Sequence, residues 1–195
     1  ASCGWTPGVA AATQPGVRPK VNNVIQHYFE PLKNEPCWGV QRGYGDVLKL
    51  EFGRPHLEIR EPRESRRKMS ARLQALNARR HVWVKGRWSL WTWHCDWVVR
   101  KNGRILGRSG VKDTAERTTM FLDGQKLISV SLQDKGARTT FRFDLGGELE
   151  TTPCDNESEQ WHLRSRRNYF LTIFADRTYT YGHGSRMEPR RRPIE

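Results

Sequence analysis

The sequence predicts a mainly β fold. It reads as a β-rich α+β chain whose strands form an antiparallel meander or hairpin sheet, or a sandwich, with two or three short helices. Three observations predict it. Apolar and polar residues alternate at period two through most of the chain. Glycine-centred turns separate those runs. Helical spacing is confined to three short stretches.

Residues 1–20 are rich in Gly, Pro, Ala and Thr without periodicity, and are expected to form a disordered or loosely packed arm. Val21, Val24, Ile25, Tyr28 and Phe29 follow helical spacing, and Pro31 stops that helix. In "DVLKLEF", Leu48, Leu50 and Phe52 share one face. "HLEIR" repeats the pattern after Gly53, with Leu57 and Ile59 inward, so the two runs read as a β-hairpin. "RESRRKMSARLQALNAR" then carries Met69, Leu73 and Leu76 as the narrow apolar stripe of a surface helix.

Residues 82–99 read as one long β region. Asn102-Gly103, between Val98-Val99 and Ile105-Leu106, is a strong hairpin signal because both turn residues need positive φ. Asp113 with Glu116 makes a capping box for a short helix. "KLISVSL", the "RTTFRFDLGGELET" hairpin, and "QWHLR", "NYFLTIF" and "RTYTY" complete an antiparallel meander. Residues 21–183 are thus expected to form a single β-rich domain, and 184–195 a basic flexible tail. "LEFGRPHLEIREP" and "FRFDLGGELETTP" share an order of Phe, turn, Leu-Glu and Pro, followed in each case by Trp-x-Leu at Trp88 and Trp161. A β-unit duplicated over about 36–110 and 122–182 is one reading; the generic likeness of two-period strands is the other.

Hydrophobic residues make up 36% of the 195, eight of them Trp, and the mean hydropathy is −0.80. No apolar run approaches the roughly 20 residues that span a bilayer. Cys3, Cys37, Cys95 and Cys154 form no CxxC pair, so a four-thiolate zinc site is not expected; they read as free thiols in the cytoplasm. A lipid anchor at Cys3 is the alternative reading of the first residues. No cofactor or metal is expected.

The net charge is +13, from 34 basic and 21 acidic residues. Residues 60–80 hold eight basic residues against two acids, and 100–112 hold five against none. Arg63, Arg66, Arg67, Arg72, Arg100, Lys101, Arg104 and Arg108 are therefore the anion-binding candidates.

The stretch "RWSLWTWHCDW" concentrates the remaining interest. On one continuous strand, Trp91, Trp93, Cys95 and Trp97 share an apolar face and read as structural core; a stacking platform for bases or sugars is the competing reading. His94 and Asp96 share the other face and are the candidate catalytic pair, although no nucleophile accompanies them. Phosphate-binding, dinucleotide, zinc-protease and serine-hydrolase motifs are missing.

The blocks "PCWGVQRGYGDVLKLEFGRPHLEIREP", "GRWSLWTWHCDW", "LDGQKLISVSL" and "FRFDLGGELETTPCDNESEQWHL" resemble a group of uncharacterised bacterial proteins that carry them in this order, over about 36–182. That resemblance implies a shared β-rich fold and a bacterial origin, and transfers no catalytic residue. In general style the chain also resembles small β-rich immunity proteins that neutralise toxins.

Three functions follow as expectations. The first is a non-catalytic binding protein that engages a protein partner. The second is a non-specific nucleic-acid-binding module acting through 60–80 and 100–112. The third is a hydrolase built on His94 and Asp96. Convergence of the arginines on one face would favour the second.

Overall fold

The computed structural model describes residues 21–63, 69–111, 115–134, 137–185 and 190–194. The expected arm at 1–20, Cys3, Arg66, Arg67 and the Asp113 cap lie outside them. Within them the chain is mainly β, as expected, with three helices and antiparallel sheets.

The first part runs through helix α1 (Val21–Phe29) and strands β1 (Cys37–Arg42), β2 (Leu48–Phe52) and β3 (His56–Arg60). Helix α2 (Ala71–Asn77) follows, then β4 (His81–Lys85), β5 (Trp88–Thr92), β6 (Cys95–Lys101) and β7 (Arg104–Arg108). The second part holds α3 (Ala115–Leu122), β8 (Leu127–Gln133), β9 (Arg138–Phe143), β10 (Gly147–Pro153), β11 (Glu159–Ser165), β12 (Tyr169–Phe174), β13 (Thr178–His183) and β14 (Arg192–Pro193).

Two sheets face each other across one core. Their strand orders are β1-β2-β5-β11-β12-β13-β14 and β7-β6-β10-β9-β8, with β3-β4 as a separate ribbon. Read from β8, the second sheet begins in the same order as the first: a hairpin, a third strand, then strands from the other half of the chain, two of them here and four in the first sheet. The segments before β1 and β8 also pair with each other. They run antiparallel, and four backbone bonds join them in two matched pairs. Asn34 N–H donates to Leu127 O at 2.8 Å and Gly124 N–H to Cys37 O at 2.7 Å; Cys37 N–H donates to Gln125 O at 2.8 Å and Leu127 N–H to Glu35 O at 3.1 Å. This correspondence sets Trp97, rather than Trp88, against Trp161.

The core is filled from both sheets and α1. Phe29 of α1 lies edge-on to Phe141 and to Trp161, which themselves meet at 5.5 Å, so one helical ring locks the two sheets together. Inward residues alternate as the two-period pattern requires: Leu48, Leu50 and Phe52 on β2, Trp97 and Val99 on β6, Leu171 and Ile173 on β12 are all buried.

Four sequence expectations change. First, β2 and β3 do not pair. β2 lies between β1 and β5, whereas β3 pairs with β4, Leu57 opposite Val84 and Ile59 opposite Val82. A period-two pattern identifies strands but carries no partner. Leu57 and Ile59 are accordingly exposed, not inward. Second, residues 82–99 form three strands, broken at Gly86-Arg87 and at Trp93-His94. Third, the helix after Pro62 is described only from Ala71, where the Ser70 side chain accepts from Leu73 N–H. Fourth, residues 190–194 belong to the fold. Ile194 is buried, the Arg191 guanidinium lies 3.9 Å from the Phe174 ring centre, and Arg191 pairs with Asp176 at 2.7 Å.

The insertion between β2 and β5 has no counterpart in the second sheet. There β9 reaches β10 through the short turn at Asp144–Gly146. The β3-α2-β4 arm thus lies outside both facing sheets. A lone two-stranded ribbon is marginal by itself. This one is anchored where it leaves the sheet. Glu51 is buried and receives Lys49 Nζ at 2.8 Å, Gly86 N–H at 2.9 Å and the Ser89 hydroxyl. Burial, with Lys49 beside it, lowers the Lys85 pKa. Farther out, Arg164 grips Glu58 through two bonds at 3.0 and 3.3 Å.

Candidate functional site

The tryptophan cluster divides where the chain changes sheets. Thr92 is an inward residue of β5 and Cys95 an inward residue of β6, so the alternation shifts phase across Trp93 and His94. Trp97 and Cys95 are buried as expected. Trp91 and Trp93 are not core residues: Trp91 is half-buried and Trp93 is 41% exposed. They point outward because a chain that crosses between two facing sheets must reverse which side of the strand is inside. Nor do they form a flat platform, since their ring centroids lie 6.3 Å apart with planes tilted by 39°. Lys49 and Lys85 sit over the Trp91 ring at 5.6 and 5.4 Å.

The candidate catalytic residues turn to different partners. Asp96 accepts from the Ser109 hydroxyl at 2.7 Å, and His94 packs edge-on to Trp93. His162, which the sequence presents as isolated, pairs with Glu159 through Nδ1 and stacks on Trp91 at 5.8 Å. Aromatic rings surround it and no hydroxyl or thiol touches it among the described contacts. Cys37 and Cys95 are buried thiols pushed up to about 12, the reverse of an activated nucleophile; Cys154 is also raised. Among the described residues no cluster of three or more His, Cys, Asp or Glu is placed to hold a metal ion, and no helix is long and apolar enough to cross a membrane.

The basic candidates fall on two different elements. Arg63 and Arg72 belong to the arm. Arg100, Lys101, Arg104 and Arg108 belong to the β6–β7 hairpin at the edge of the five-stranded sheet. Arg100 faces Glu148 at 3.9 Å and Lys101 lies over Phe121 at 5.4 Å.

Two features remain that the sequence reading missed. The first is the outer face of the ribbon. Leu57, Ile59, Val82 and Val84 are 62, 54, 52 and 54% exposed, and the pairing register puts them side by side. Leu73 and Leu76 of α2 are also exposed. The signal was present, because apolar residues alternate on both strands; only the partner sheet is missing. The second is a cavity of about 950 Å3 at the root of the arm, bordered by Arg54, His56, Arg87, Trp88, Arg166 and Arg167, with Tyr169 and Tyr181 on its wall. These arginines come from three separate loops, so no local run of charge announces them.

No protein-family model, curated protein or solved structure matches this chain.

Proposed function

We propose that the protein is a non-catalytic binding protein, and that the β3-α2-β4 arm docks an acidic protein partner. The observation that carries this is the unpartnered apolar face of Leu57, Ile59, Val82 and Val84 on an arm outside the two facing sheets. A contiguous exposed apolar face on a projecting ribbon favours association, because covering it removes apolar surface from water. Charge selects the partner. Residues 53–87 hold eleven basic residues and three acidic ones. Of the acids, Glu58 and Glu61 are paired within the protein, to Arg164 and Arg80. A partner with an apolar strip rimmed by carboxylates therefore complements both the face and its border. The reading places the protein in the cytoplasm, supported by three free thiols at Cys37, Cys95 and Cys154.

The test is nuclease-treated affinity capture from the native host with three baits: wild type, Leu57→Asp/Val84→Asp, and Arg72→Glu/Arg79→Glu. All four positions are exposed, so the folded state should be retained, as melting curves would check. The expected result is an acidic protein bound by wild type and lost from both variants, with the interaction reproduced by titration of the purified pair. Capture that is the same for all three baits, or that vanishes with nuclease, overturns the reading.

A further inference from the structure

The cavity at the root of the arm is independent of the apolar face. Arg54 enters it from the turn after β2, Arg87 from the turn before β5, and Arg166 and Arg167 from the turn between β11 and β12. Arg166 N–H donates to the Arg87 carbonyl at 2.7 Å, which ties two of those turns together. The Arg87 guanidinium is stacked over Trp88 at 4.7 Å, so its position is set before any ligand arrives.

Guanidinium groups stay protonated at any physiological pH. Four of them on one cavity repel one another unless an anion compensates. Among the described residues no acidic side chain lines the cavity, and none of the four arginines forms an ion pair with a described carboxylate. His56 Nδ1, on the same wall, is buried without a hydrogen-bond partner. The structure therefore supplies cationic donors in excess and leaves the acceptor to come from outside.

We propose that this cavity binds a small molecule carrying two or more adjacent phosphate groups, clasped by Arg54, Arg87, Arg166 and Arg167. Phosphate oxygens match the forked donors of arginine, and adjacent phosphates bring enough negative charge for several of them. The cavity is concave and of small-ligand size, unlike the extended basic track that a nucleic-acid strand requires. Its wall also offers a seat for a planar group. Tyr28, Tyr181 and Tyr169 form a continuous stack, with centroid separations of 4.3 and 5.6 Å, and Tyr169 remains partly exposed. A nucleoside polyphosphate and a bare oligophosphate share the phosphate chemistry and differ in whether that seat is used.

Calorimetric titration of the full chain with inorganic triphosphate and, separately, with ATP tests this at about 0.15 M salt. Saturable binding is expected. Arg87→Ser, and Arg166→Ser with Arg167→Ser, should each weaken it by about tenfold or more, the scale of a lost charge-assisted hydrogen bond. Arg104→Ser, on a distant hairpin, should leave it unchanged. ATP binding tighter than triphosphate, with the difference abolished in Tyr169→Ala, assigns a nucleoside polyphosphate; equal affinities assign the oligophosphate chain. The substituted arginines are exposed, so unchanged melting temperatures are expected of those variants, and Tyr169, which is partly exposed, is read only through the difference between the two probes. No saturable binding of either probe overturns the proposal. So does binding indifferent to the arginine variants, equal loss in Arg104→Ser, or binding of a single-stranded oligonucleotide that triphosphate does not displace.

Discussion

Trp97 and Trp161 occupy matching places in the two sheets. Trp97 lies opposite Thr151 and Trp161 opposite Thr92, and all four residues are buried. Each indole N–H donates near the start of a strand in the facing sheet: Trp97 Nε1 to Asp46 O at 2.6 Å, before β2, and Trp161 Nε1 to Thr139 Oγ1 at 3.0 Å, on β9. Each ring thus crosses the core and satisfies its one polar atom on the far side.

Truncating either ring should be severe. Trp97→Ala and Trp161→Ala are each expected to cost about 3–5 kcal/mol, from lost burial and the cavity left behind. Trp93→Ala should cost less than about 1 kcal/mol, because that ring is largely outside the core. Urea unfolding of the three variants decides it; a loss at Trp93 equal to that at Trp97 would show the outward ring to be a packing residue.

Gly86 marks the hinge where the arm rejoins the sheet. A Cβ there would come within 2.5 Å of Phe52 O and 2.7 Å of Phe52 N, both backbone atoms that cannot swing aside. Gly86→Ala should therefore lower stability by more than about 2 kcal/mol, in the range of overpacked sites. The arm anchor should loosen with it. Faster amide exchange at Trp88–Ser89, measured alongside the melting curve, would locate the damage; an unshifted melt contradicts the close approach.

Gly103 tests the opposite mechanism. Its φ is +80° and a Cβ would meet nothing within 4 Å. The expected penalty is purely conformational. Gly103→Ala should cost about 1 kcal/mol, and Gly103→Val more, since a β-branched side chain tolerates positive φ less well. Asn102, with φ of 49°, supplies the other positive-φ residue of the turn. A Gly103→Val protein as stable as wild type would mean that the hairpin closes another way.

Alkaline pH should destabilise the fold through two thiols. Burial, foremost, pushes Cys37 and Cys95 up to about 12, from an ordinary value of 9.0. The folded state keeps both protons while the unfolded chain loses them. The contribution is fully present below the unfolded pKa and disappears as pH rises from about 9 toward about 12. Stability should be flat below that window and fall within it, and the double Cys37→Ala/Cys95→Ala variant should show a shallower fall. Peptide mapping after iodoacetamide at mild alkaline pH should find Cys154 modified before Cys37 and Cys95, because it is exposed and those two are buried. Early labelling of Cys95 would contradict its burial.

The strands, the three helices and the Asn102-Gly103 and Gly146 turns were legible because each rests on a local property: a period of side-chain direction, or a backbone angle that few residues tolerate. Cys95 and Trp97 were placed in the core for the same reason. Trp91 and Trp93 were misplaced because nothing local marks the point where a strand leaves one sheet for the other. The inward side of a strand is a relation between sheets, and two residues spent on the crossing reset it.

Partnership followed the same division. The sequence by itself determined that β3 is a strand with Leu57 and Ile59 on one side, and that the chain is strongly cationic. Only the tertiary structure decided that β3 pairs with β4 rather than β2, which leaves that side bare, and that Arg54, Arg87, Arg166 and Arg167 meet. Alternation and propensity act over a few residues. Register and strand order arise from which apolar faces bury each other best across the whole chain, and charges far apart in sequence converge only as a consequence of that choice.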